Sequence, residues 1–178
     1  TPLQLANATA IMANHGKQVV PTLAGDTKPV ERTDIVLNDQ SNWEKMADAM
    51  VGVTQLGGTA RAMAVKAKYD IAAKSGTAQV FSVGQDETYN EEELTERLLD
   101  HALLVSFAPA DKPAIAVAVL VENGRHGGST AGPVAREVMD AWLLDEQGEL
   151  KVPPVFAETP PHPPSNTTIN NAGNENRP

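Results

Sequence analysis

Apolar residues recur along this chain at two spacings, and the switch between them separates helices from strands. Leu3, Ala6, Ala10 and Ala13 lie at helical spacing. Thr1-Pro2-Leu3-Gln4 opens that stretch as a capping box with proline in the first turn. Asn14-His15-Gly16 closes it, with Gly16 free to take positive φ. The small residues of this face allow close approach to a neighbour. A short strand is expected from Gln18 to Thr22, followed by a polar, proline-containing connection from Ala24 to Asp39. Behind a second capping box, Ser41-Asn42-Trp43-Glu44, the residues Trp43, Met46, Ala47, Met50 and Val53 form one apolar stripe. That stripe predicts an amphipathic helix ending near Gly57-Gly58 and is read as core.

The spacing then changes. Tyr69 to Val80 reads as a strand, with a middle of small residues around one lysine, Ala72-Ala73-Lys74-Ser75-Gly76-Thr77-Ala78. An ordinary buried strand carries Val and Ile there; small residues and a mid-strand glycine point to a close approach to the backbone. Asn90 to Asp100 is expected to be a short acidic helix. Leu103–Ala108 and Ala114–Glu122 read as two strands of a hairpin joined by Pro109-Ala110-Asp111-Lys112-Pro113. The second of these is apolar on both faces, which predicts a place at the sheet centre, covered on both sides. A final helix is expected from about Thr130 to Leu144, with Ala131, Val134, Val138 and Trp142 as its buried stripe. The element order fits an α+β fold, an antiparallel sheet with helices packed on its faces.

Length and composition narrow this picture. The 178 residues, 41% of them hydrophobic and 4% aromatic, suit one domain with an aliphatic core. Residues 1–150 are expected to form that domain segment. Residues 151–178 carry most of the chain's prolines, seven of thirteen, with several Asn and few apolar side chains. They are expected to be a disordered tail. The net charge of −9 repels phosphate backbones and argues against nucleic-acid partners. With no Cys and four scattered His residues, a metal site has little support, and no cofactor is expected. No run of about 18 apolar residues is present and no signal peptide is recognisable. The abrupt opening at Thr1 suggests a segment of something longer.

Lys74-Ser75-Gly76-Thr77 is the sharpest chemical signal. By average residue usage a K-[ST]-G-T string arises by chance in about one chain in a few hundred of this length. Its residue types suit acyl transfer to or from a peptide with a free carboxylate. Lys74 supplies a cation and Ser75 and Thr77 supply hydroxyls. A strand edge lets the substrate lie as an added strand, and the Thr77 N–H can face a developing oxyanion. Gly76 keeps the approach clear. A solvent-facing lysine on a small-residue edge strand is the bland alternative. Arg61 and Arg97 could steer a carboxylate, but surface positions are the plainer reading. His101 is read as a capping or surface residue. The loop Gly124-Arg125-His126-Gly127-Gly128 lacks phosphate-loop spacing.

The K-S-G-T string resembles the third motif of the penicillin-recognising serine acyltransferases, which accompanies S-x-x-K and S-x-N. The opening Thr1-Pro2-Leu3-Gln4-Leu5-Ala6 looks like a helix of class B penicillin-binding proteins. Gly57-Gly58-Thr59-Ala60, Ile71 to Val80, Glu87-Thr88-Tyr89-Asn90, Phe107-Ala108-Pro109 and Val121-Glu122-Asn123-Gly124 are similar to their elongation-type branch. The resemblance covers roughly residues 1–145. It implies part of a D,D-transpeptidase that acts on peptidoglycan stem peptides ending in D-Ala-D-Ala and is acylated by β-lactams. Within it Lys74, Ser75, Gly76 and Thr77 bind substrate, and Lys74 and the Thr77 N–H serve the chemistry. It also implies a periplasmic domain anchored in the inner membrane and a membrane glycosyltransferase of the elongation machinery as partner. The departure is large: none of Ser41, Ser75, Ser82, Ser106, Ser129 or Ser165 has Lys three residues on, and no S-x-N or S-x-D occurs. The implied nucleophile and its lysine lie upstream of Thr1, in an N-terminal remainder of the domain, and the chain alone is expected to be inactive. A serine β-lactamase or β-lactam sensor of the same superfamily, or a non-catalytic interaction module, are the alternatives.

Overall fold

The computed structural model describes residues 1–18, 20–24, 30, 32–80 and 95–151. Among the described residues, four α-helices, α1 (Pro2–Ala13), α2 (Ser41–Gly52), α3 (Arg61–Ala64) and α4 (Gly132–Leu143), accompany strands β1 (Ala72–Ala78), β2 (His101–Ala108) and β3 (Ile115–Val121). The strands form an antiparallel sheet in the order β1-β2-β3, with Lys74 opposite Val105 and Gly76 opposite Leu103. This is the α+β architecture expected.

Strand alternation sends successive side chains to opposite faces, and each face has its own core. On one face Ala73, Leu104 and Val117 join Met63, Ala131, Ala135, Met139 and Leu143 beneath α3 and α4. On the other, Ala72 and Phe107 meet Ala13 of α1 and Met50 of α2. Thr54, just past α2, donates its hydroxyl to the Ile71 carbonyl at 2.8 Å and so ties that helix to the start of β1. Asp70 accepts from the Ala110 N–H at 2.9 Å, which fixes the same end to the hairpin turn.

The capping box of α1 forms as expected: the Thr1 hydroxyl accepts from the Gln4 N–H and the Gln4 side chain bonds the Thr1 backbone nitrogen. Gly16 has φ +90, and a Cβ there would sit 2.2 Å from the Ile35 carbonyl oxygen. The buried face of α1 differs, because Leu3 is exposed whereas Thr9 and Ala13 are buried. Thr9 tolerates burial because its hydroxyl donates to the Leu5 carbonyl at 2.8 Å.

Several other expectations are corrected. Among the described residues of 18–22 none is in a strand; the Gln18 side chain instead donates to the Thr33 carbonyl. The second capping box does not form. The N-cap position falls on Gln40, which makes no side-chain cap bond, and Asp39 before it accepts from both the Ser41 N–H (3.0 Å) and the Ser41 hydroxyl (2.6 Å). These bonds, the Ser41 hydroxyl first, hold the Asp39 carboxyl below its ordinary range. Helix α2 ends at Gly52, and β1 starts at Ala72 rather than Tyr69. The hairpin forms, but the central strand is β2, and β3 lies at the edge of the described sheet with helices over both faces. In α4 the buried stripe is Gly132, Ala135, Met139 and Leu143, while Val134, Val138 and Trp142 are exposed. Glu96–Leu98 forms a single 3₁₀ turn; the rest of the helix expected over 90–100 falls largely outside the described residues, as does the tail from 152.

Candidate active site

Strand β1 places the four motif residues on one sheet edge. It pairs with β2 along its whole length, and among the described residues nothing pairs with its other edge. The register divides the side chains by face. Ala72 lies opposite Phe107 in the α1–α2 core, so Lys74 and Gly76 share that face. Ala73 belongs to the α4 core, so Ser75 and Thr77 share the opposite one. The lysine and the two hydroxyls therefore do not converge as a side-chain cluster. What they share is the open edge between them.

Lys74 is exposed, and its ammonium donates to the Ser75 carbonyl at 2.5 Å. Among the described residues no carboxylate lies within salt-bridge distance of it. The Thr77 hydroxyl donates to the Arg125 carbonyl at 3.4 Å, and the Ser75 and Thr59 hydroxyls are 2.9 Å apart. Gly76 is the informative glycine. Among the described residues a Cβ built there would meet only Leu103, at 3.4 Å from its Cβ, an ordinary contact. The packing of the described residues does not require glycine at 76, so among them the space it leaves open is unclaimed.

The glycines of the following loop have the opposite character. A Cβ on Gly127 would lie 2.0 Å from the Leu103 carbonyl oxygen and 2.7 Å from that of Gly76. One on Gly128 would lie 2.0 Å from the Thr59 carbonyl oxygen. The loop at 124–128 is thus a backing plate: it lies flat on the β1–β2 backbone at the level of the motif. The Thr130 hydroxyl holds it by donating to the Gly124 carbonyl at 2.7 Å, and the Arg125 N–H donates to the Asp100 carbonyl at 2.8 Å. This is the close approach that the small residues of β1 anticipated.

The remaining candidates sit apart. Arg61 and Arg97 are exposed on α3 and on the 3₁₀ turn. His101 opens β2, where its Nδ1 accepts from the Asn123 N–H at 2.9 Å, a structural latch between strand ends. A groove of about 640 Å³ lined by Tyr69, Pro109 and Trp142 opens at the hairpin end, and none of the four motif residues lines it. Sequence reasoning missed Thr59 and the backing role of Gly127 and Gly128. It also missed an Arg136 cluster on the α4 side, where Arg136 donates to both Asp140 oxygens at 2.8 Å and to the Met63 carbonyl at 2.5 Å. Asp140 also accepts from the Tyr69 hydroxyl at 2.5 Å. Burial, then that bond, raises the Tyr69 hydroxyl above its ordinary range. The long-range contacts among these carry no periodicity signal. Apart from Arg136–Asp140, an i,i+4 pair on α4, these contacts join residues 16 to 73 positions apart.

Comparison with known proteins gives one family. The model of the penicillin binding protein transpeptidase domain matches residues 1–140. The peptidoglycan D,D-transpeptidase MrdA of Acinetobacter baumannii is 52% identical over 153 residues, covering 81% of this chain and 22% of that protein. The Escherichia coli K12 protein of the same name is 40% identical over 156 residues, covering 82% and 24%. The chain thus spans about a quarter of the length of these curated relatives. Among solved structures, Pseudomonas aeruginosa PBP2 in complex with WCK 5153 superposes with a TM-score of 0.71 at 46% identity, covering 85% of this chain and 32% of that one. Helicobacter pylori PBP2 in complex with MreC gives 0.64 at 27% identity, covering 80% and 24%.

Proposed function

Because the chain belongs to the penicillin-binding protein transpeptidase domain family, we propose that it is the substrate-cradling part of a serine D,D-transpeptidase that cross-links peptidoglycan stem peptides ending in D-Ala-D-Ala. The observation that carries this reading is the free edge of β1, with Lys74 unpaired by any described carboxylate and Gly76 leaving unclaimed space beside it. An extended peptide lies along that edge as an added strand. Lys74 draws its terminal carboxylate, the hydroxyls of Ser75 and Thr77 donate to it, and the Thr77 N–H faces the oxyanion.

In this reaction a serine hydroxyl attacks the penultimate D-Ala carbonyl, the C–N bond to the last residue breaks, and D-Ala leaves as the protonated amine. An amine of a neighbouring stem peptide then attacks the acyl-enzyme, regenerating the serine. A β-lactam follows the first step only, its ring C–N bond opening in place of the peptide bond. None of the six serines here lies in an S-x-x-K string, so the nucleophile belongs to residues outside these 178. The chain by itself is inactive on this account. Residues 1–150 form the cradle segment and 151–178 a tail; the family match to residue 140 supports that division. The relatives' role as peptidoglycan transpeptidases supports a periplasmic place on the inner membrane, and a membrane glycosyltransferase as the source of the glycan strands being joined. MreC, seen with the H. pylori relative, is a candidate partner of the complete protein.

The test is labelling of the complete protein with a fluorescent penicillin. Lys74→Ala is expected to reduce labelling more than tenfold at matched time and concentration. Labelling at the parent rate would remove Lys74 from the site.

A further inference from the structure

We propose that Thr59 is a positioning residue for carboxylate recognition, acting through the Ser75 hydroxyl; this rests on the site reading above. The Thr59 and Ser75 hydroxyls are 2.9 Å apart, and geometry allows either to donate. Substrate decides the direction. For Ser75 to donate to a carboxylate its own proton must be free, so Thr59 then donates to Ser75 Oγ. The result is a two-step relay, Thr59 to Ser75 to carboxylate, in which each bond polarises the next.

Thr59 is itself held. It lies in the turn before α3, its carbonyl is covered by Gly128 at a distance that admits no side chain, and that glycine belongs to the loop whose Arg125 carbonyl accepts from Thr77. The same backing loop therefore sets both hydroxyls, Thr77 directly and Ser75 through Thr59. A free serine side chain samples three staggered rotamers. The Thr59 bond selects one of them before substrate arrives, which raises affinity for the carboxylate without touching it.

Two penicillins that differ only in the carboxylate, one free and one methyl-esterified, separate this role from a structural one. In the complete transpeptidase, Thr59→Val removes the hydroxyl and keeps the branched shape at an exposed position. The acylation rate constant for the free acid is expected to fall about fivefold, as for loss of one neutral hydrogen bond. The ester rate is expected to stay within twofold, and Thr59→Ser to restore the parent ratio. An equal fall for both penicillins, or no fall for the acid, overturns the proposal. Lys74→Ala run in parallel keeps the two readings apart. If it leaves the acid-to-ester preference intact, the site reading fails. If it abolishes the preference while Thr59→Val does not, only the Thr59 role fails.

Discussion

The two faces of the sheet are built to different standards. Beneath α3 and α4 a cluster of 13 buried residues is closed by the Arg136–Asp140–Tyr69 contacts, with the Arg136 guanidinium 5.6 Å from the Tyr69 ring centre. Beneath α1 and α2 the buried cluster has four members, Ala13, Met50, Ala72 and Phe107. Lys74 and Gly76 project on that thinner face. The difference teaches where rigidity is placed. A densely packed side holds the backbone of β1 in register and carries Ser75 and Thr77, while the more open side carries Lys74 and Gly76. Binding residues on a rigid support and exposed to one side are the usual way a site gains precision.

The largest expected effect tests the closed face. Met139→Ala, at a fully buried position, is expected to destabilise the fold by about 3 kcal/mol in urea unfolding. Leu3→Ala on α1, where the side chain is half exposed, is expected to cost under about 1 kcal/mol. Equal costs would erase the contrast. Next comes the glycine pair. Gly128→Ala drives a Cβ into the Thr59 carbonyl oxygen and is expected to cost about 1–3 kcal/mol. Gly76→Ala is expected to leave stability within about 1 kcal/mol yet to cut penicillin acylation of the complete protein at least tenfold. Unfolding curves and acylation rates, measured on the same variants, check whether fold and function separate at these positions.

How much of this was legible in the sequence depends on the range of the contact. The K-S-G-T strand, the hairpin and the cap of α1 were readable because spacing of a few residues defines each. The phase of α4 was not. The helix offers two apolar stripes one residue apart, Val134-Val138-Trp142 and Ala135-Met139-Leu143, and periodicity cannot rank them. The buried stripe begins at Gly132, which lies against Met63, where a Cβ would come within 3.1 Å of its Cγ, and continues through Ala135, Met139 and Leu143. The central place expected for β3 went wrong because an apolar strand covered by helices on both faces reads the same at the centre or the edge of a sheet. Ser41 does not cap α2 because the helix starts one residue earlier than the box requires, with Ser41 as its first residue donating to Asp39. The K-S-G-T string was legible and its partners in the fold were not, because Thr59 and Arg125 reach β1 across 16 and 48 positions.

The smallest effects sharpen the comparison through pH. Tyr69 on the closed face has its hydroxyl raised above the ordinary value near 10. The folded state therefore holds that proton more tightly than the unfolded state. Its contribution is fully present below about pH 10 and is lost as pH rises beyond it. Tyr69→Phe should flatten the alkaline limb of a melting-temperature profile. Asp39, which accepts from Ser41 at the start of α2, is lowered instead, so its contribution is present above the ordinary carboxylate range near pH 4 and is lost as pH falls. Asp39→Ala should lower the melting temperature slightly at pH 7 and blunt the decline in acid.

The central claim is that this chain cradles substrate for a nucleophile that lies elsewhere. The direct measurement is peptide mapping by mass spectrometry of the complete protein after penicillin treatment. The account predicts a single penicilloyl adduct on a serine outside these 178 residues, in an S-x-x-K string. An adduct on Ser75, or on any other serine of this chain, would contradict it.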